Sequence, residues 1–299
     1  VKPRVLACGG AVMDFLPGEG DAWLARPGGS AWNVAHALAA LGSSVSFVGA
    51  ISDDPFGQRL RQDARHSGID VSFASRTSAP TALSVIHTTH PARYAFYAHE
   101  CADAQFTGVD DAALEGARAA YFGGVTLLRA PATQHLLALA DAARARGVLV
   151  AYDPNYREQH AETARASFRA FVPLADVMKV SQEDLAGLLP GRTWEDAVAE
   201  LRADHPHLRL LVTLGEAGAL LVGPGETARH GGYRVPVADT VGAGDASIAG
   251  YLHARLTRPD APAGEHLAFA LACAAAACTR PGAYAPTPRD VQAVRQELT

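Results

Sequence analysis

The sequence predicts an α/β fold, with a mainly parallel sheet covered by helices on both faces. Three observations carry that expectation. Short apolar runs alternate with longer alanine-rich helical patterns, glycines stand where those helices would end, and one stretch, 81–99, breaks the alternation. With 299 residues, 48% hydrophobic and 19% charged, the chain has room for a full core, which argues against disorder.

In chain order, the apolar runs at 4–9, 45–50, 119–122, 148–152, 177–180 and 208–213 read as buried strands. Helical patterns over 30–41, 56–67 and 131–146 are each followed by a glycine (Gly42, Gly68, Gly147), where a helix end favours positive φ. Ligands of such βα repeats collect beyond the carboxyl ends of the strands. The exception is two strand-like runs, 81–88 and 93–99, joined by the turn-like 89–92 with no helix between them. A hairpin inserted in an α/β core reads as a lid, with partner strands expected from 11–26. No repeat or Ser/Pro linker divides the chain, so 1–299 is expected to be a single domain with this lid inserted. The last third reads as helices over 244–256, 265–279 and 288–298.

Composition excludes several classes. A net charge of −5 and a pI near 6.2 give no footprint for nucleic acid or an anionic membrane. The longest apolar run, 267–278, falls short of the roughly 18 to 20 residues that cross a bilayer and reads as a buried helix. Cys8, Cys101, Cys273 and Cys278 show no CxxC or zinc spacing, and the 12 histidines no HExxH, so no metal-histidine site is read. Val1-Lys2-Pro3-Arg4 runs straight into a strand without a signal-peptide pattern, and the expectation is a cytoplasmic protein.

The sharpest motif is Asp239-Thr240-Val241-Gly242-Ala243-Gly244-Asp245, which opens a helix. Small residues at a helix start leave backbone N–H groups unobstructed, and with the helix dipole these hold a phosphate or developing negative charge. A carboxylate at such a place suits a base that takes a proton from an attacking hydroxyl. On the residues alone, an acid favoured by the dipole explains Asp245 equally well. Pro27-Gly28-Gly29-Ser30-Ala31-Trp32-Asn33 also opens a helix, with Ser30 as an ordinary N-cap the plainer reading. Asp14, just past the first strand, together with Asn33 suits a polyhydroxylated ligand. Asp153-Pro154-Asn155-Tyr156-Arg157 puts polar groups at a strand end, where Arg157 reads as a phosphate partner or a solvated arginine. Thr213-Leu214-Gly215-Glu216-Ala217-Gly218 is a further glycine turn after a strand. Neither a P-loop nor a Gly-x-Gly-x-x-Gly after the first strand occurs, which disfavours P-loop enzymes and ordinary dinucleotide oxidoreductases.

Together these residues resemble the ribokinase-like (PfkB) carbohydrate kinases, and within them the fructokinase-like branch. The likeness rests on 11–17, on Gly28 to Ala35 followed by Leu41-Gly42, on 49–57, and on Asp239 to Asp245, and it spans nearly the whole chain. The resemblance implies a Rossmann-like three-layer α/β/α sandwich with a small β lid, transferring the ATP γ-phosphate to a sugar hydroxyl. It implies Asp245 as base, with Gly242, Ala243 and Gly244 as the anion hole. Asp14, Gly28, Gly29 and Asn33 would hold the sugar under lid residues near Phe96. Asn155, Arg157 and Ser181 would face the phosphates, and Thr213, Gly215 and Gly218 the nucleotide. Magnesium would be held through water by Asp184, and potassium would sit near Asp239. Lid-mediated homodimers would follow. A nucleoside or 2-keto-3-deoxygluconate kinase is the same-family alternative, and a sugar-binding regulator without chemistry the different-class one.

Three departures accompany the resemblance. The family's Asn-x-x-Glu is Ser181-Gln182-Glu183-Asp184 here, keeping a shorter carboxylate. The lid's Phe-Tyr-Arg is Phe96-Tyr97-Ala98, which removes a cation and leaves the sugar open. Pro286 stands where many relatives have a serine, leaving potassium activation open.

Overall fold

A computed structural model describes residues 4–89 and 92–296, with the side chains of 87–89 and 92–94 set aside. The chain runs β1 (Arg4–Gly9), β2 (Val12–Pro17), β3 (Trp23–Gly28), α1 (Ser30–Ala40), β4 (Ser44–Val48), β5 (Ala50–Ser52), α2 (Pro55–His66) and β6 (Ser75–Thr77). It continues with β7 (Leu83–Thr89), β8 (Ala92–Tyr97), β9 (Ala117–Gly123), α3 (Ala132–Ala145), β10 (Leu149–Asp153), α4 (Ala161–Phe171), β11 (Val177–Ser181) and α5 (Gln182–Leu188). Then follow α6 (Trp194–Asp204), β12 (Arg209–Thr213), β13 (Ala219–Gly223), β14 (Glu226–His230), α7 (Ala243–Thr257), α8 (Ala263–Cys278) and α9 (Pro288–Gln296).

The main sheet has the order β14-β13-β12-β11-β10-β9-β1-β4. Its central strands are buried on both faces, so alternate residues enter two separate cores. Leu6, Phe122, Tyr152, Met178 and Leu210 pack with α3, α4, α5 and α6, whereas Val5, Tyr121, Ala151, Val177 and Leu211 pack with α1, α2, α7 and α8. That is the expected α/β/α sandwich. No helix among the described residues is long and apolar enough to cross a membrane.

Two differences from the expected sheet have local causes. The run 45–50 divides: β4 ends at Val48, and β5 pairs with β6 in a small sheet of its own. The break falls at Gly49, where a Cβ would lie 2.2 Å from the Gly9 carbonyl oxygen, so the chain crosses β1 too closely to continue as a strand. The sheet is also not parallel throughout, since β13 and β14 extend it antiparallel. Only a short turn links β12 to β13, with Gly215 and Gly218 at φ 58° and 86°, and a turn of that length cannot hold a crossover helix.

The strands expected outside the core form a second sheet in the order β3-β2-β7-β8. β7 and β8 pair antiparallel as a hairpin, whose tip, His90-Pro91, lies outside the described residues. β3 runs two residues further than expected and carries Pro27 and Gly28 into the sheet. Trp23, Leu24 and Tyr97 are exposed on its two edge strands, β3 and β8.

Candidate active site

Three chain turns at the carboxyl ends of β1, β9 and β10 place Gly10, Gly124 and Asn155 around one cavity of 240 Å³. The second sheet supplies Asp14, Ser84 and Phe96 to its wall, and the starts of α1 and α7 supply Ser30, Asn33, Gly244 and Asp245. The volume lies below the roughly 300 to 1,000 Å³ of most ligand clefts and suits a small polar molecule.

Asp245 stands in the first turn of α7, whose N-cap Gly242 has φ 79°. That left-handed backbone suits glycine, and a Cβ there would also lie 2.8 Å from Ala283. The N–H of Ala243 turns back to the Thr240 carbonyl at 3.2 Å. Those of Gly244 and Asp245 are leading donors with no i−4 partner within the helix. Of the three residues expected to form the anion hole, Ala243 therefore has its amide engaged elsewhere.

The Asp245 carboxylate is held on both sides. Ser30 Oγ donates to Oδ1 at 2.7 Å and Asn33 Nδ2 donates to Oδ2 at 2.9 Å. Because Ser30 gives its proton to Asp245, Tyr121 Oη, 2.7 Å away, donates to Ser30 Oγ. Burial pushes the Asp245 carboxyl above its ordinary value, against the pull of Ser30, Asn33, Lys179 and Arg157. Burial likewise lifts the Tyr121 hydroxyl, which keeps its proton for this chain of bonds. Gly29 caps α1 without any side-chain bond, so the Ser30 hydroxyl serves Asp245 and not the helix end. Asn33, expected on the sugar, is likewise a partner of Asp245.

Beneath this site Lys179 Nζ lies 3.2 Å from Asp153 Oδ2, both side chains buried. Burial alone would depress the Lys179 ammonium, but Asp153, Asp184 and Asp245 outweigh it and raise it. Burial pushes Asp153 up to about 6 against the attraction of Lys179. A Cβ on Gly244 would lie 2.9 Å from Lys179 Nζ, so the glycine brings the helix start against this ammonium.

On the opposite wall Asp14 is pushed up to about 6, by burial above all, against the pull of the Ser84 hydroxyl and with help from the charge of Asp245. Gly28 makes room for it, since a Cβ there would lie 1.9 Å from Asp14 Oδ2. Gly28→Ala is therefore expected to force Asp14 aside at about 1–3 kcal/mol of stability, in the range of overpacked sites. Ligand affinity measured beside a denaturant melt checks it, and an unchanged affinity would detach Asp14 from ligand binding.

Other expected residues lie apart from this cavity. Ser181 and Asp184 form a capping box on α5, with Asp184 Oδ2 accepting the Ser181 N–H at 2.9 Å and Oδ1 the Tyr156 N–H at 2.9 Å. Thr213, Gly215 and Gly218 sit at the β12–β13 turn. Asp239 is buried and accepts from the N–H groups of Val241 and Gly282. Among the described residues no group of three or more acidic, His or Cys side chains is placed to hold a metal. Each Asp184 oxygen takes one backbone N–H and keeps a further lone pair, which fits a metal-bound water as well as the metal itself. Ser30, Tyr121, Lys179 and Asp153 are the functional candidates that spacing missed.

Residues 14–290 match the profile described as pfkB family carbohydrate kinase. The chain is similar to the probable fructokinase-3 of Arabidopsis thaliana, at 30% identity with 98% of this chain and 91% of that protein covered. It is similar to fructokinase-1 of Oryza sativa subsp. japonica at 30%, with 97% and 96% covered. Among solved structures, the fructokinase with bound ATP from Xylella fastidiosa superposes with a TM-score of 0.89 at 28% identity, covering 100% and 99% of the two chains. The aminoimidazole riboside kinase from Salmonella enterica, complexed with aminoimidazole riboside and an ATP analogue, gives 0.86 at 29%, covering 97% and 99%.

Proposed function

The chain belongs to the pfkB family of carbohydrate kinases, and from that membership we propose an ATP-dependent sugar kinase of the fructokinase type with Asp245 as its base. The observation that carries the proposal is the arrangement of Asp245: a buried carboxylate of raised pKa, fixed by Ser30 and Asn33, at a helix start with open N–H groups. The acceptor hydroxyl oxygen attacks the γ-phosphorus, the bond to the ADP oxygen breaks, and the hydroxyl proton passes to Asp245. Charge gathering on the transferred group meets the N–H groups of Gly244 and Asp245 and the helix dipole. Lys179 holds positive charge below the same point. Asp14 accepts from acceptor hydroxyls in the space that Gly28 leaves, beside Gly29 and under Phe96. Asn155 and Arg157 line the cavity where phosphates would enter, and the turn of Thr213, Gly215 and Gly218 is assigned to the nucleotide.

Fructose is the proposed acceptor because fructokinases recur among the similar proteins. The similarity to the riboside kinase favours one second reading, a riboside acceptor in the same site. Coupled ADP release across fructose, other ketoses and aldoses, aminoimidazole riboside and 2-keto-3-deoxygluconate separates them. Binding without turnover on every member would point to a sugar-responsive regulator instead.

Magnesium is the proposed divalent ion; bound with ATP it would neutralise phosphate charge, with Asp184 holding its waters. Activity is expected to vanish in excess chelator and return on adding magnesium, and undiminished turnover in chelator would remove this claim. For potassium, the place would be the loop tied down by Asp239, and rates with and without potassium chloride test it. Exposed Trp23, Leu24 and Tyr97 on the edges of the second sheet support a homodimer built through that lid. Light scattering should give about twice the 31.2 kDa chain mass; a monomer at working concentration would count against it.

A further inference from the structure

The cavity wall carries a second, half-buried ion pair that the proposed chemistry does not use. Arg129 Nη1 donates to Asp103 Oδ1 at 2.7 Å and to Oδ2 at 2.6 Å, and Thr126 Oγ1 donates to Oδ2 at 3.0 Å. Asp103 is 2% exposed. Gly10 presses on the pair's support, since a Cβ there would lie 2.3 Å from Thr126 Oγ1 and 3.4 Å from Asp103 Cβ. Asp103, Thr126, Arg129 and Asp245 all line the one cavity, and so does the small Ala98.

The three cations of that wall differ in what their charge reaches. Lys179, paired with Asp153, and Arg157 both act on Asp245, whereas Arg129 is bound to Asp103. A guanidinium has five N–H donors, and one terminal nitrogen serves both Asp103 oxygens here, so donors remain for a ligand. Its charge, however, is already balanced. A hydroxyl can accept from such a guanidinium and donate to the neighbouring carboxylate, whereas an incoming carboxylate meets the fixed negative charge of Asp103.

We propose that the Asp103–Arg129 pair is the specificity element of this cavity, reading the non-reacting hydroxyls of a neutral sugar and disfavouring sugar acids. The inference rests on the sugar-kinase reading above. It assigns to Arg129, from the strand-end turn after β9, the cationic contact that Ala98 does not provide from the second sheet.

Two variants test it. Arg129→Lys keeps a charge beside Asp103 but removes the planar fork. Acceptor KM for fructose should rise about ten-fold, as for loss of a charge-assisted hydrogen bond, with kcat and the KM for ATP within about three-fold. Asp103→Asn keeps the shape and frees the Arg129 charge. The ratio of kcat/KM for 2-keto-3-deoxygluconate to that for fructose should then rise about ten-fold. An unchanged fructose KM in Arg129→Lys, or an unchanged ratio in a folded Asp103→Asn, would overturn the proposal. If Asp103→Asn does not fold, Arg129→Lys decides alone. A wild type that turns over no sugar would sink the kinase reading separately; calorimetry of fructose with wild type and Arg129→Lys then decides the pair, with weaker binding in the variant expected and equal or absent binding contrary.

Discussion

Asp245→Asn should lower turnover by about 10²- to 10⁴-fold, the range a general base contributes. The substitution keeps the shape, and Ser30 still has an amide oxygen to donate to, but the side chain no longer accepts the acceptor's proton. Both ligands should bind nearly as before, because Asp14 and the glycine-lined walls are untouched. The pH profile gives an independent readout. A base works only when deprotonated, and burial raises the Asp245 carboxyl, so kcat/KM should fall with decreasing pH above the ordinary carboxylate value of 3.8. Asp14 is also raised, to about 6, so variants are needed to tell the two carboxyls apart. A limb lost in Asp245→Asn but kept in Asp14→Asn belongs to the base. Near-normal turnover with normal binding would reduce Asp245 to an acid favoured by the helix dipole.

Lys179→Met should destabilise the fold by about 3–5 kcal/mol, the usual result of leaving one member of a buried ion pair uncompensated. Asp153 is fully buried and has no other cation within ion-pair distance among the described residues. Adding Asp153→Asn to Lys179→Met should restore most of the loss, since the amide oxygen can still accept from the Asn155 N–H at 3.2 Å. The sign of the pH effect follows from the raised carboxyl. Asp153 in the native state takes up its proton near pH 6, above its unfolded value of 3.8. Its protonation thus adds stability as pH falls through that window, and the Lys179→Met defect should be smaller at pH 5 than at pH 8. Urea denaturation at the two pH values measures both effects. A loss below about 1 kcal/mol at pH 8 would mean that water, not Lys179, compensates Asp153.

The repeating βα core was legible because each strand is an apolar run and each early helix ends on a glycine that needs positive φ. The hairpin was legible for the complementary reason, two strand patterns with no helix between them. What escaped were elements whose patterns are short or mixed. β14, Glu-Thr-Ala-Arg-His, is an edge strand with little apolar character, and α5 begins at Ser181-Gln182-Glu183-Asp184, whose helix-capping chemistry was hidden behind its likeness to a family motif. In the site, Asp245 and its glycines announced themselves as a local string. Ser30, Tyr121, Lys179 and Arg129 did not, because each has an ordinary local reading and acquires its task from a partner 26 to 215 positions away. A lone Tyr in a buried strand is core until its hydroxyl is seen beside Ser30.

The two bonds that fix Asp245 join it to residues 215 and 212 positions earlier in the chain. α1 and the first strands emerge early in synthesis, but the carboxylate they hold arrives on α7, after every strand of the main sheet has been made. A nascent chain with the whole sheet in place would still lack Asp245 and the helix start above Lys179. Contacts of this span also slow folding, since the intervening loop must be closed before they reward it. On the proposed function, catalytic competence is therefore acquired late, with α7, and a chain that stops short of α7, even one whose Asp14 is in place, is expected to be chemically silent.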